Sequence, residues 1–547
     1  MKIIGQFAFL LLLITSCLNG NRKDFENFSF RYNESKGITT LDPAFARSLP
    51  LIWPVHQLYN GLVQLNDSLN IKPSIAHSWE VSDNGLSYTF YLRNDVYFHD
   101  SPAFKNGKGR RVVADDFIFS FGRIINPDVA SPGSWVFSIL DINKPNTTYG
   151  CEAINDSTLV VNLKEPFPAF LGLLSMPYAY VVPHEALAYY GREFRSNPVG
   201  TGPFQFKYWR EGEKLILRRN LEYFEFDENG NRLPYLESVS ISFITDKQSE
   251  FLEFLLGNID FISGVHAASK DELLTRSGSL NPRYSDRIKM ITGPYLNTEY
   301  LGILVDTTLD IVRNSPLRFE EVRKAIGYGF DRAKLMTHLR SNMGYPAYNG
   351  FVPSGMPGFS EDVEGFSFNP ELSRKLLAQA GFPEGRGLTP ITLSTTDDYV
   401  DICEFIQHQL SEIGIPIEIE VFPGAAYRDM MANSKMAFFR GSWVADYADP
   451  ENYLSLFHTQ NFSPGGPNYT HFASREFDLL YQNSLWQPID SIRYSIYQSM
   501  DSLVMSYTPV IPMYYDKVVR FVSNDVEGMK SNPMNLLNLK RIKKVKR

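Results

Sequence analysis

Gly441-Ser442-Trp443-Val444-Ala445-Asp446-Tyr447-Ala448-Asp449-Pro450-Glu451-Asn452-Tyr453 reads as the end of a strand, a loop and the start of a helix. Met436 to Trp443 is an apolar, aromatic run of strand length. Asp449-Pro450 supplies an N-cap acceptor followed by a residue pre-set for a first helical turn. Asp446 then lies just beyond a strand's carboxyl end, where open α/β sheets leave their ligand crevice, and Trp443, Asp446 and Tyr447 become candidate contacts. Taken alone, a loop carboxylate is more often solvated than ligand-bound, so the rest of the chain has to decide.

Immediately upstream the pattern alternates. Ile391 to Ser394 reads as a strand. Val400 to Leu410 reads as a helix, with Ile402, Phe405, Ile406, Leu410 and Ile413 on one face. Ile415 to Val421 is again a strand, Ala425 to Asn433 a helix, and Met436 to Trp443 a third strand. Such β-α-β-α-β crossovers build a parallel sheet covered by helices, with a crevice where strand order reverses. Further back, Arg318 to Leu339 has helical spacing, and Asn369-Pro370 starts a helix that runs to Gly381.

The first half has a different texture. An extended lead-in with Leu41-Asp42-Pro43 precedes a short apolar helix around Leu58-Tyr59-Asn60-Gly61-Leu62. Ser78 to Ser82 and Leu86 to Arg93 flank Asp83-Asn84-Gly85 and predict a hairpin. Asp115-Asp116 opens a helix whose apolar face is Phe117, Ile118 and Phe121. Asn197 to Phe204 is turn-dense and leads into a hairpin of Phe204–Trp209 and Lys214–Arg219; its glycines match no phosphate-loop spacing.

At 547 residues, with 44% apolar and 21% charged side chains, two or three soluble domains are expected. Lys plus Arg total 53 against 61 Asp plus Glu, and a net charge of −8 disfavours nucleic acid as a partner. Lys2, the apolar run from Phe7 to Ile14 and Thr15-Ser16 before Cys17 read as a secretory signal that ends in a lipobox, so Cys17 is the expected lipidated residue and 18–26 a tether. Cys151 and Cys403 are expected as free, buried thiols. The tail from Lys540 to Arg547 carries six positive charges and reads as a solvated segment, or as one that meets anionic lipid heads.

Enzyme motifs are absent. There is no His-Glu-x-x-His, no Gly-x-Ser-x-Gly, no Cys-x-x-Cys and no Walker sequence, and the 9 His residues are scattered without ligand spacing. Asp115-Asp116 and Asp397-Asp398 sit near helix starts, where capping accounts for them. No catalytic residue, metal site or cofactor is expected.

In order along the chain stand Leu41-Asp42-Pro43, Tyr59-Asn60-Gly61-Leu62, Ile75-Ala76-His77-Ser78-Trp79-Glu80, Tyr97-Phe98-His99-Asp100, Ala114-Asp115-Asp116-Phe117, Pro198 to Phe204, Val322-Arg323-Lys324-Ala325, Asn369-Pro370 to Gly381 and the opening stretch. This ordered set resembles the large solute-binding proteins, family 5, that serve ABC importers of oligopeptides, dipeptides and nickel. The resemblance implies an α/β, two-lobed clam-shell of the periplasmic-binding-protein kind (class II, cluster C), with an extra subdomain in the first lobe. The implied boundaries are lobe I at 27–293, with the subdomain at about 76–196, lobe II at 294–513, and a return to lobe I at 514–547, with hinges near Thr292–Asn297 and Pro512–Tyr515.

The resemblance also implies a function. Asp446 would pair with a peptide's α-amino group, Trp443 and Tyr447 would frame the ligand, and Gly441 and Ser442 would complete the site. Arg47-Ser48-Leu49 would offer extended backbone to the ligand. Oligopeptide binders usually place Gly directly before the motif Trp, whereas here Ser442 intervenes. The expected protein is a monomeric lipoprotein, not an enzyme, on the periplasmic face of a bacterial membrane. It would capture peptides and deliver them to an ABC permease with its ATPase subunits. Nickel, haem or an oligosaccharide in the same fold, and an exported, membrane-anchored hydrolase, are the alternatives.

Overall fold

The computed structural model describes residues 28–545. The signal, Cys17 and the tether lie outside the described residues. Two lobes share one 11-stranded sheet. Its lobe II end is the crossover unit read above: Ile417–Val421, Ile391–Thr395 and Phe438–Val444 lie side by side in that order, with the middle strand parallel to both neighbours. The helices Val400–Ser411 and Gly424–Ala432 make the crossovers. Strand order therefore reverses between Ile391–Thr395 and Phe438–Val444, and the carboxyl end of the latter opens onto a crevice.

The sheet continues into lobe I through two long antiparallel strands, Ile288–Ile303 and Val510–Ser523. Their ladder is broken in register between Pro294 and Thr298 and again between Glu299 and Tyr300, the region expected to hinge. Beyond them come Phe261–Ser263, Ser29–Asn33, Ser238–Ser242 and the hairpin of Lys214–Arg219 with Phe204–Arg210. The segment expected as a subdomain contains a sheet of its own, four strands built on the Ala76–Val81 and Ser87–Leu92 hairpin. Gly85 closes that hairpin at φ +67°, a conformation that favours glycine.

Apolar packing follows the same division. One core runs from Phe30 to Phe261 and takes in Tyr447 and Val522 to Ile542; two others gather residues of 296–514, one of them joined by Leu69. Cys151 is buried in the first and Cys403 in a lobe II core, both unpaired.

Three local readings are corrected. The apolar helix of the lead-in spans Leu49–Leu58, so Tyr59 to Leu62 lies past its end and Leu49 is helical rather than extended. The basic tail is only partly solvated over its described part: Arg541 and Lys543 are exposed, but Lys540 is buried against Glu225 at 2.7 Å and Lys544 against Asp260 at 3.1 Å. Arg31 holds the same Asp260 at 2.6 Å, so the first strand and the end of the described chain meet on one carboxylate. Asp449 is not the N-cap: the helix Glu451–Leu454 has Pro450 there, and Asp449 stands one residue earlier. It accepts from the Glu451 N–H at 2.9 Å, and it is also buried against Arg493 at 3.4 Å.

Candidate functional site

The loop after Phe438–Val444 sets Asp446 between two cavities, each walled by both lobes. The smaller, about 300 Å³, lies between Arg47, Ser48, Met176 and Tyr178 on one side and Ala445 and Asp446 on the other. The larger, about 710 Å³, lies between Trp135, Glu165 and Phe167 on one side and Trp443, Asp446 and Tyr481 on the other. Volumes of this size suit small ligands.

Asn452, at the start of the short helix Glu451–Leu454, orders the loop. Its Oδ1 accepts from the Asp446 N–H and from the Trp443 indole N–H, each at 3.1 Å, and its Nδ2 donates to the Asp446 carboxylate at 3.4 Å. The Tyr453 hydroxyl donates to the Trp443 carbonyl at 3.1 Å. One helix start thus fixes an indole plane and a carboxylate together.

Asp446 itself is open to the cleft, yet the walls of both lobes replace much of the water around it. That desolvation raises its carboxyl above the ordinary 3.8, and the Asn452 amide only partly offsets it. Across the smaller cavity, burial and the Asp446 charge push the Tyr178 hydroxyl up to about 12, against an opposing pull from Arg47.

Several buried carboxylates elsewhere find partners within the protein. Asp42 pairs with Arg123, Asp260 with Arg31 and Lys544, Glu299 with Arg440. Asp501 has no cation but accepts from the Phe351 and Val352 N–H groups at 2.7 and 3.1 Å. Glu451 accepts from the Tyr447 and Tyr481 hydroxyls. Asp446 has one long amide hydrogen bond and, among the described residues, no cation. A charge brought into such a site needs a partner, and the cleft leaves room for a cationic one.

The remaining expected site residues divide. Trp443 is half-buried and lines the larger cavity. Tyr447 lines it too, but it is 5% exposed, packs with Phe167 and Trp135 at ring distances of 6.4 Å, and spends its hydroxyl on Glu451, so it joins the lobes more than it frames a ligand. Gly441 and Ser442 line neither cavity. A Cβ on Gly441 would come within 2.5 Å of Tyr300, so packing on the neighbouring strand is what requires glycine there, and Ser442 is exposed opposite Glu299 in the ladder. Sequence reasoning missed Asn452, Tyr178, Met176 and Trp135. Only Asn452, inside the quoted stretch at a helix start, carried a local signal.

Among the described residues, no three His, Cys, Asp or Glu side chains form a metal-holding group, and no helix is long and apolar enough to cross a membrane.

The model of the bacterial extracellular solute-binding proteins, family 5, matches residues 70–464. Heme-binding protein A of Haemophilus influenzae is 26% identical over 493 residues, covering 87% of this chain and 85% of that protein. The periplasmic oligopeptide-binding protein OppA of Escherichia coli is 26% identical over 514 residues, with 91% and 88% covered. Among solved structures, the ABC transporter-associated periplasmic binding protein DppA of Helicobacter pylori, in complex with the peptide STSA, superposes with a TM-score of 0.73 at 24% identity, covering 95% of this chain and 98% of that one. With its two lobes, its interlobe cleft and a family match over most of its length, the chain belongs to the bacterial extracellular solute-binding proteins of family 5, and it is a binding protein rather than an enzyme.

Proposed function

We propose that this protein captures peptides with a free α-amino group in the cleft between its lobes and delivers them to an ABC permease driven by ATPase subunits. It works as a monomer on the periplasmic face of a bacterial membrane, held there by lipid on Cys17. The observation that carries the reading is the Asp446 carboxylate, which is desolvated, oriented by Asn452 and without a cation from the protein. A peptide's ammonium group supplies the missing charge and its hydrogen bonds. Trp443, fixed by the same Asn452, forms a wall beside it. OppA of the comparisons is an oligopeptide binder by name, which supports the same cargo class.

Purified protein, denatured and extracted, should release short peptides by mass spectrometry. Release of haem, a nickel chelate or an oligosaccharide in stoichiometric amount would overturn the cargo assignment. Intact-mass analysis of membrane-extracted protein should place the mature N-terminus at an acylated Cys17, and an unmodified N-terminus elsewhere would remove the anchor.

A further inference from the structure

The smaller cleft cavity contains a second charge that the amine reading leaves unused. Arg47 lines it from lobe I and Asp446 from lobe II. Arg47 immediately precedes Ser48, whose extended backbone leads into the helix Leu49–Leu58, and its side chain is exposed to the cleft. Among the described residues it enters no ion pair, and it does not meet Asp446 although the two share about 300 Å³. Tyr178 lies within electrostatic reach of both, pushed up by Asp446 and pulled down by Arg47. Two opposite charges that line one small cavity without pairing suit a ligand whose own charges match both.

Resting on the peptide reading above, we propose that Arg47 is a specificity-determining residue that binds a carboxylate of the ligand close to the ammonium held by Asp446. Extended chain advances about 3.3–3.6 Å per residue, so a terminal carboxylate stays in so small a cavity only when it follows the ammonium within about two residues. The preferred cargo is therefore a dipeptide-sized zwitterion or a longer peptide with an acidic side chain at its start. A guanidinium suits the task because its planar fork donates to both carboxylate oxygens. The rest of the wall is uncharged, with Met176, Met534 and Leu536 among its apolar side chains, which leaves Arg47 as the cation among the lining residues.

Calorimetry on the full chain, freed of bound ligand, tests this with alanine peptides of two to five residues as free acids and as C-terminal amides. Ala-Asp amide, Ala-Asn amide and N-acetylated dialanine complete the panel. On the parent, amidating the shortest peptide that binds should weaken it by at least about tenfold. On Arg47→Ala the same change should matter by less than about twofold, and Arg47→Glu should prefer the amide. If the partner is the terminal carboxylate, the amidation penalty fades as the peptides lengthen. If it is a side chain, Ala-Asp amide outbinds Ala-Asn amide, and Arg47→Ala abolishes the difference. Arg47→Gln, which keeps a polar side chain but removes the charge, replaces Arg47→Ala should circular dichroism show that variant unfolded. Indifference of the parent to every carboxylate, with N-acetylation still abolishing binding, overturns the role of Arg47 and leaves the peptide reading standing. Indifference to N-acetylation, or no binding across the panel, overturns both.

Discussion

Asp446 and Asp449 share a loop but answer to different partners, and substitution should separate them. Asp446→Asn keeps the shape and removes the charge, so binding of a free-amine peptide should weaken by about 2–5 kcal/mol. N-acetylating the peptide should have the same effect, and the two changes should not add, since each deletes one interaction from opposite sides. Stability should not fall, because the fold disfavours the ionised carboxyl that the variant lacks. Calorimetry paired with urea unfolding checks both halves; a destabilised variant with intact binding would sink the assignment. Asp449 is held by Arg493, so Arg493→Met, which strands a buried carboxylate, should cost about 3–5 kcal/mol of stability in the same urea titration. Glu451 is pushed from 4.5 up to about 7, by burial above all. Between those values the folded protein keeps a proton that the unfolded chain has released. Its contribution to stability is therefore full below about pH 4.5 and lost as pH rises through about 7. Glu451→Gln should flatten the fall in unfolding free energy across that window, which is worth at most about 1.4 kcal/mol per pH unit; an unchanged slope would refute the assignment. Asp446 was legible because a strand end and a helix start bracket it. Tyr178 and Arg47 reach its cavity from hundreds of residues away in sequence, and no local pattern records that meeting.

Elements were the most legible scale where a period governs them. The crossover strands and helices of lobe II appear within a few residues of their expected ends, because one apolar face per helix and short apolar runs between turn residues leave few alternatives. The turn-dense Asn197 to Phe204 was recognised as no phosphate loop, but its purpose shows only in three dimensions. Cβ atoms on Gly200 and Gly202 would come within 2.1 and 2.4 Å of Leu58 backbone atoms. The C-terminal end of the helix Leu49–Leu58 rests on bare backbone there, which also donates to it: the Gly202 N–H donates to the Leu58 carbonyl at 2.9 Å. Gly202→Ala should cost about 1–3 kcal/mol or more in thermal or urea unfolding. Gly465→Ala, whose nearest neighbour would sit at 3.5 Å, should stay within about 0.5 kcal/mol. Equal costs at the two sites would refute the packing account. The basic tail was misread for the opposite reason, since its partners Glu225 and Asp260 lie far away in sequence and composition alone cannot pair them.

For the whole molecule, the two lobes were legible from the order of weak motifs rather than from any one of them. Closure of those lobes about Ile288–Ile303 and Val510–Ser523 should follow ligand binding, because only the closed state lets both walls of each cavity touch the ligand. Small-angle scattering should show a smaller radius of gyration on saturation with a peptide that calorimetry has verified, and an unchanged profile would count against closure.

The meeting of Arg31 and Lys544 on Asp260 bears on how such a motion would be observed from outside. The two ends of the described chain are riveted to the same lobe, so lobe I is the stator and lobe II the rotor. A fluorophore near Ser29 and another near Lys544 should keep a constant separation through the cycle, while either one paired with a dye on the helix Val400–Ser411 should report the full swing.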